Sequence, residues 1–248
     1  MSLKILVCIS KAPDTTTKIA FADNDTKFNE ANVQFIINHY DEWYALVRAL
    51  ELTEAQGGTV TTITVGPLGD EQIIRKAFAI GATDGVRIDA EPTDGYFVAK
   101  QIADYAKDKG FDIILCGKET INYNGSQVGA MVAELLDLPF VSLATKLEVN
   151  NGKATIDTDI QGGTETLECS LPTVISAAKG MAEQRIPNMR GIMAARTKAL
   201  TTVTPIGVSK TNSVKKFTLP PAKSAVKMIP ADNAGQLIEL LHNEAKVI

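Results

Sequence analysis

Histidine and cysteine are scarce in this chain of 248 residues, which holds two of the first and three of the second. His39 and His242 stand far apart and neither lies near a cysteine, so no zinc-ligand spacing is present. A Ser-His-Asp triad would have to recruit one of those two imidazoles, and no GxSxG motif accompanies them. Metal-dependent and hydrolytic catalysis are therefore disfavoured. Cys8, Cys116 and Cys169 are widely spaced, and two of them sit inside apolar runs, the pattern of buried thiols rather than of a disulfide framework. Basic charge is also short. The 25 Lys and Arg against 29 Asp and Glu leave a formal net charge of −4, with no basic stripe interleaved with aromatics, which argues against nucleic acid as a partner. No apolar run reaches the length needed to insert across a bilayer, and the opening MSLKILV lacks the long apolar core and cleavage site of a signal peptide. The expected compartment is the cytoplasm, or a mitochondrial matrix if a presequence was removed.

What the chain does have is size and pattern. With 45% hydrophobic and 22% charged residues it can bury one substantial core plus extensions. Leu3 to Ile9 is a nearly continuous apolar run of the kind a strand covered on both faces requires. Apolar residues at helical spacing follow from Asn38 to Ala55 and stop at Gly57-Gly58. A strand is expected at Val60 to Val65, a helix at Asp70 to Ala79, a short strand at Val86 to Ile88, a helix at Gly95 to Lys107 and a strand at Ile113 to Cys116. Strands alternating with helices imply right-handed crossovers and a parallel sheet, so the expected fold is a doubly wound, Rossmann-like α/β domain.

The pattern changes after Pro139. Residues 144–149, 154–160 and 164–171 alternate and are joined by Asn150-Asn151-Gly152 and Gly162-Gly163, which is hairpin chemistry and predicts an antiparallel extension. A buried strand at 172–176 and a short helical run at 191–199 follow. Carboxylate pairs such as Asp157 with Asp159 and Glu165 with Glu168 read as solvated strand faces. The nucleotide-binding domain with its extension is expected over residues 1–200, and an arm with a last amphipathic helix over 201–248. An arm with Pro205, Pro220 and Pro221 cannot easily bury itself, so it is either disordered or laid along a partner chain, and its Val226, Met228, Leu237, Ile238 and Leu241 favour a partner.

Residues 117–128, GKETINYNGSQV, begin where an apolar strand ends and finish at a helix. Strand ends of an open parallel sheet face a crevice, and the amides of a helix N-terminus are ready donors to phosphate oxygens. Gly125 allows close approach of backbone to a phosphate, and Ser126 is placed to cap the helix from Gln127 to Leu136. The loop is neither a Walker motif nor a GxGxxG fingerprint. By itself it is compatible with an adenine nucleotide and equally with a plain glycine-containing βα turn.

Residues 159–176, DIQGGTETLECSLPTVIS, followed by 187–196, PNMRGIMAAR, closely resemble the signature of the electron transfer flavoprotein beta subunit. KAPD at 11–14, NHYD at 38–41, Gly117-Lys118 and the stretch LPPAKSA at 219–225 agree with that family in order and spacing. The resemblance covers essentially the whole chain. It implies an electron carrier without catalytic residues of its own, paired with an alpha subunit that holds most of one FAD. The implied donors are acyl-CoA dehydrogenases of fatty acid oxidation or related dehydrogenases, and the implied acceptor is a membrane quinone oxidoreductase. It further implies AMP in this subunit, in a site comprising Cys8, Asn38, His39, Tyr40, Asp41, Val65, Gly117, Lys118, Glu119, Thr120, Ile121, Asn122, Tyr123, Asn124, Gly125, Ser126, Gln127 and Val128. Tyr40 serves either the flavin's edge or only the adenine pocket.

Met189 falls where the family carries a hydrophobic anchor for partner dehydrogenases, although its residue type suits an ordinary core position as well. Arg185, Arg190, Arg196 and Lys198 flank it, either as a steering patch or as a solvated face. Asp159 falls where relatives carry an acid that pairs with the alpha subunit, or it is a solvent-facing strand carboxylate. Residues 122–128, NYNGSQV, depart from the acid-rich loop of AMP-type carriers. Their Gln127-Val128 ending matches flavin-bifurcating relatives, which hold a second FAD there and use NADH as donor, whereas Tyr123 replaces a small residue and its ring would obstruct that flavin. AMP is the expected occupant and a second FAD the alternative. ATP-binding universal-stress-type regulators and adenylating enzymes share the architecture. The first would show a loop closer to GxxGxxxxxxxxG[S/T] and the second an SGGxDS-like loop where this chain has Ser10-Lys11-Ala12-Pro13-Asp14.

Overall fold

The computed structural model describes residues 2–38, 41–121, 123–223 and 225–248. Its strands are β1 (Leu3–Cys8), β2 (Lys11–Pro13), β3 (Phe21–Ala22), β4 (Lys27–Phe28), β5 (Phe35–Ile37), β6 (Gly58–Val65), β7 (Asp84–Ile88), β8 (Ile113–Gly117), β9 (Phe140–Asn150), β10 (Lys153–Ile160), β11 (Gly163–Ser170), β12 (Thr173–Ala177) and β13 (Leu200–Val203). Its α-helices are α1 (Asp41–Gln56), α2 (Glu71–Ile80), α3 (Gly95–Ala106), α4 (Val128–Leu136), α5 (Met189–Ala195) and α6 (Ala234–Leu240). Among the described residues no helix is long and apolar enough to cross a membrane.

The apolar run at the N-terminus becomes the centre of a nine-stranded sheet in the order β11-β10-β9-β12-β8-β1-β6-β7-β13. β1 pairs in parallel with β6 on one side and β8 on the other, so it is covered on both edges and both faces. Leu3, Ile5 and Val7 point to one core with α1 and α2, while Leu6 and Cys8 point to the other with α3 and α4. This alternation within a run that is apolar throughout is what two helical layers demand. The chain winds from β1 to β6 and β7 in one direction, then crosses back to place β8 on the opposite side of β1. The reversal between β1 and β8 opens a crevice at their carboxyl ends, where ligands of such sheets bind.

The expected antiparallel extension is present as β9, β10 and β11. β9 starts parallel to β12 but bends at Leu143, which has φ 56° and donates its amide to Ser176 Oγ at 3.1 Å. Beyond the bend the extension lies along α1. Arg48 Nε donates to the Leu147 carbonyl at 2.8 Å and Gln56 Nε2 to that of Val149 at 2.8 Å. α1 is thereby held between the parallel sheet and the hairpin, and Leu147, Val149, Ala154 and Ile156 join its core.

Two expectations differ in detail. The first long helix starts at Asp41 rather than Asn38, whose side chain is occupied elsewhere, as described below. The short helical run is Met189–Ala195, displaced toward the N-terminus because Asn188 Oδ1 accepts the Gly191 amide at 2.8 Å and caps it. β13 pairs in parallel with β7 at the sheet edge. The small ribbons β2–β5 and β3–β4 fill residues 11–37, a stretch whose two- and three-residue strands are too short to leave an alternating pattern.

Candidate functional site

The crevice is built where four backbone segments meet. Gly117 ends β8 directly beneath the first turn of α1. A Cβ on it would lie 2.8 Å from Glu42 Cγ, 3.0 Å from Asp41 Cβ and 3.0 Å from the Glu42 nitrogen. Only glycine lets α1 sit this close to the strand end. Glu42 in turn fastens the exit of β1, since the Ser10 amide donates to its Oε2 at 2.7 Å and the Ser10 hydroxyl to its Oε1 at 2.8 Å. Asn38 is fully buried and spans to the loop after β8. Its Nδ2 donates to the Glu119 carbonyl at 2.7 Å and its Oδ1 accepts the Ile121 amide at 3.0 Å. Both backbone groups of that loop are thus fixed by one side chain.

This wall concentrates buried acid. Burial pushes the Glu42 carboxyl up to about 8, against the opposing pull of its hydrogen bonds from Ser10. Burial likewise raises Asp41 to about 6, with the Lys118 cation nearby acting in the other direction. Lys118 Nζ lies 3.1 Å from Glu119 Oε1, so the loop's own acid shares that cation. Glu42 and Ser10 were not among the residues singled out in the sequence. A Glu in the first turn of a helix is ordinarily an exposed dipole partner, and nothing in its neighbours' identities signals burial.

The loop itself presents backbone. The Tyr123 and Asn124 amides close on the Thr120 carbonyl at 3.3 and 2.8 Å. Among the described residues the amides of Gly125, Ser126 and Gln127 have no hydrogen-bond partner, and a Cβ on Gly125 would meet open space. Asn124 and Ser126 adopt left-handed φ of 48° and 49° on either side of that glycine. One sequence expectation is corrected here. Ser126 does not cap α4: Gln127 occupies the cap position without a side-chain bond, while the Ser126 hydroxyl turns back to Glu119 Oε2 at 3.4 Å. Tyr123, on the same loop, is 70% exposed.

Cys8 and Val65 lie buried beneath this end of the sheet, in the core shared with α3 and α4. The Cys116 thiol beside it and burial push the Cys8 thiol well above its ordinary value, so it packs as an inert group. His39, Tyr40 and Asn122 lie outside the described residues. Every other residue expected at the site, from Asn38 and Asp41 to Gly117, Lys118, Glu119, Thr120, Ile121 and Val128, belongs to these meeting segments.

Met189 is 72% exposed at the start of α5, which removes the core reading of that residue. α5 is seated on α2 through Gly191, where a Cβ would lie 2.2 Å from the Ala79 carbonyl oxygen. Ile186 and Met193 are exposed beside Met189. Of the four cations expected around it, two are committed to the fold. Arg185 makes a two-point pair with Glu54 at 2.7 and 2.9 Å, and Lys198 Nζ donates to the carbonyls of Phe78, Gly81 and Ala82 at the end of α2. Arg190 and Arg196 remain exposed. Asp159 is exposed near the end of β10, opposite Thr164 of β11.

A family model described as the electron transfer flavoprotein domain matches residues 25–206. The chain belongs to the electron transfer flavoprotein family, as a beta subunit. It is 35% identical to the electron transfer flavoprotein subunit beta of Bacillus subtilis (strain 168), over 99% of this chain and 100% of that one. It is 37% identical to the corresponding subunit of Syntrophomonas wolfei, over 100% and 99% of the two chains. The mitochondrial beta subunit from Oryza sativa subsp. indica is 31% identical over 99% of this chain and its own full length. Membership in this flavoprotein family makes electron transfer the process in which the chain takes part.

Proposed function

We propose that this chain is the beta subunit of a heterodimeric electron carrier whose alpha subunit holds most of one FAD, and that the crevice between β1 and β8 holds AMP. Electrons would arrive from acyl-CoA dehydrogenases or related flavoprotein dehydrogenases and leave to a membrane quinone oxidoreductase. The observation that carries the reading is Asn38, buried and bonded to both Glu119 and Ile121, because it fixes the loop after β8, which carries free amides at the strand end where such sheets bind nucleotides. Those amides suit a phosphate, and the open space at Gly125 suits its close approach. The FAD, when bound, supplies the one- and two-electron chemistry. This chain's part is to hold the nucleotide, offer Met189 to dehydrogenases and offer Asp159 to the alpha subunit.

An exposed apolar anchor gives contact area without committing to one partner's charge pattern. An exposed carboxylate such as Asp159 forms ion pairs of at most about 1 kcal/mol, weak enough for a mobile flavin domain to release. A second reading, a flavin-bifurcating carrier with a further FAD in the crevice and NADH as donor, draws support from the Gln127-Val128 ending of the loop. Co-expression with the alpha subunit, denaturation and chromatography of the released nucleotides separates the two. One FAD with one AMP per heterodimer is the expected result. Two FAD without AMP would establish the second reading, and absence of any yellow complex would overturn both. The relatives include bacterial and mitochondrial proteins, and a bacterial cytoplasm or a mitochondrial matrix is the proposed compartment.

A further inference from the structure

Residues 204–217 leave the edge of the sheet yet remain on their own domain through a small number of polar contacts. Gln101 of α3 is buried and meets both backbone groups of Ile206: its Nε2 donates to the carbonyl at 2.8 Å and its Oε1 accepts the amide at 2.9 Å. Asp94, at the cap of the same helix, divides its two oxygens. Oδ1 accepts the Phe97 amide at 2.7 Å, which caps α3. Oδ2 turns to the arm and accepts the Thr211 amide at 2.8 Å, the Thr211 hydroxyl at 3.1 Å and the Asn212 amide at 3.4 Å. The chain then reaches the β3–β4 ribbon, where the Phe217 amide donates to the Asp25 carbonyl at 2.7 Å and its ring stacks on Phe21 at 5.0 Å between centroids. The first part of the arm is thereby fastened to its own chain by a few contacts while remaining largely exposed. Beyond it, Leu219, Val226, Met228 and Ile238 are exposed.

Residues 207–216 are almost all exposed, so little burial opposes the entropy of a free chain there. Contacts to a carboxylate are the stronger kind of hydrogen bond, and these converge on a single oxygen. We propose that Asp94 is a positioning residue for heterodimer assembly: by holding residues 211–212 against the N-terminus of α3, it sets the direction in which the apolar stretch after Phe217 is presented to the alpha subunit. The inference rests on the heterodimer reading above. An arm already directed loses less freedom on association than a free one, so its tether acts on affinity without touching the partner.

The test uses the full chain with Asp94→Asn, Gln101→Met and the wild type. Asn is as good a helix cap as Asp, but it has one acceptor oxygen where Asp has two, so cap and arm can no longer both be served. Gln101→Met leaves the cap untouched. Hydrogen exchange at residues 206–217 is expected to quicken about tenfold in both variants, with α3 amides and thermal midpoint near wild type. Affinity for the FAD-loaded alpha subunit is expected to weaken about tenfold in both. Unchanged exchange in the arm overturns the inference, as does faster exchange with unchanged affinity, while the wild-type complex still stands. A wild type that forms no complex removes the heterodimer reading and this inference together.

Discussion

Glu42→Gln should flatten the pH dependence of stability in a defined window. The carboxyl is buried beside Ser10 and stands at about 8 in the folded chain against an ordinary 4.5. A folded state that binds the proton more tightly than the unfolded state loses stability as pH rises from the unfolded value through the folded one. Each pH unit between those limits costs about 1.4 kcal/mol, so the ceiling for the whole interval is about 5 kcal/mol. Asp41 behaves in the same sense at lower pH, since it stands at about 6 against 3.8. Comparison between pH 6.5 and 8.5 therefore isolates Glu42 and predicts a loss of about 2 kcal/mol in the wild type. Gln keeps an acceptor for Ser10 and cannot ionise. Urea unfolding at both pH values, followed by fluorescence of Trp43, the single tryptophan and the residue next to Glu42, reads the difference directly. Parallel pH profiles for wild type and variant would refute the claim that this carboxyl is held neutral by burial.

The remaining expectations concern the same wall and the helix that begins at Met189. Gly117→Ala forces a methyl group to within 2.8 Å of Glu42 and should destabilise by about 1–3 kcal/mol in urea titration, with loss of nucleotide from the purified complex. Asn38→Ala leaves the Glu119 carbonyl and the Ile121 amide without their partner and should cost about 2–3 kcal/mol, measured by thermal or urea unfolding. Met189→Asp should leave stability within about 0.5 kcal/mol of wild type while slowing electron transfer from an acyl-CoA dehydrogenase about tenfold in stopped-flow flavin absorbance.

Much of this architecture can be read from local pattern, and the site only in part. The run Leu3 to Cys8 has one reasonable fate, a strand between two helical layers, and the hairpins announce themselves through Asn150-Asn151-Gly152 and Gly162-Gly163. The loop at 117–128 is legible because a glycine-containing segment between strand and helix is a positional signal. The role of Glu42 is not legible, because its burial is produced by the missing side chain of Gly117, 75 residues away in sequence. Ser126 misled for a related reason: its residue type suits a cap, but Glu119 competes for its hydroxyl. The tether of the arm was hidden likewise, since Asp94 reads as an ordinary helix cap and gives no sign that its second oxygen serves Thr211 and Asn212. Short-range patterns reveal elements, whereas contacts between elements depend on the packing that assembles them.

The nine-stranded sheet also ends somewhere, and its two margins differ from its middle. β11 closes one side with Thr164, Glu165, Thr166 and Glu168 exposed, and Glu168 is paired to Lys153 at 2.6 Å. β13 closes the other with only four residues before the chain departs toward Gln101. A long, flat, apolar margin would recruit any passing strand, and charge on one side with brevity on the other withholds that invitation. Unwanted self-association of an unpaired subunit should therefore proceed through the greasy residues after Leu219 and be relieved by trimming them, leaving the sheet itself inert toward its own kind.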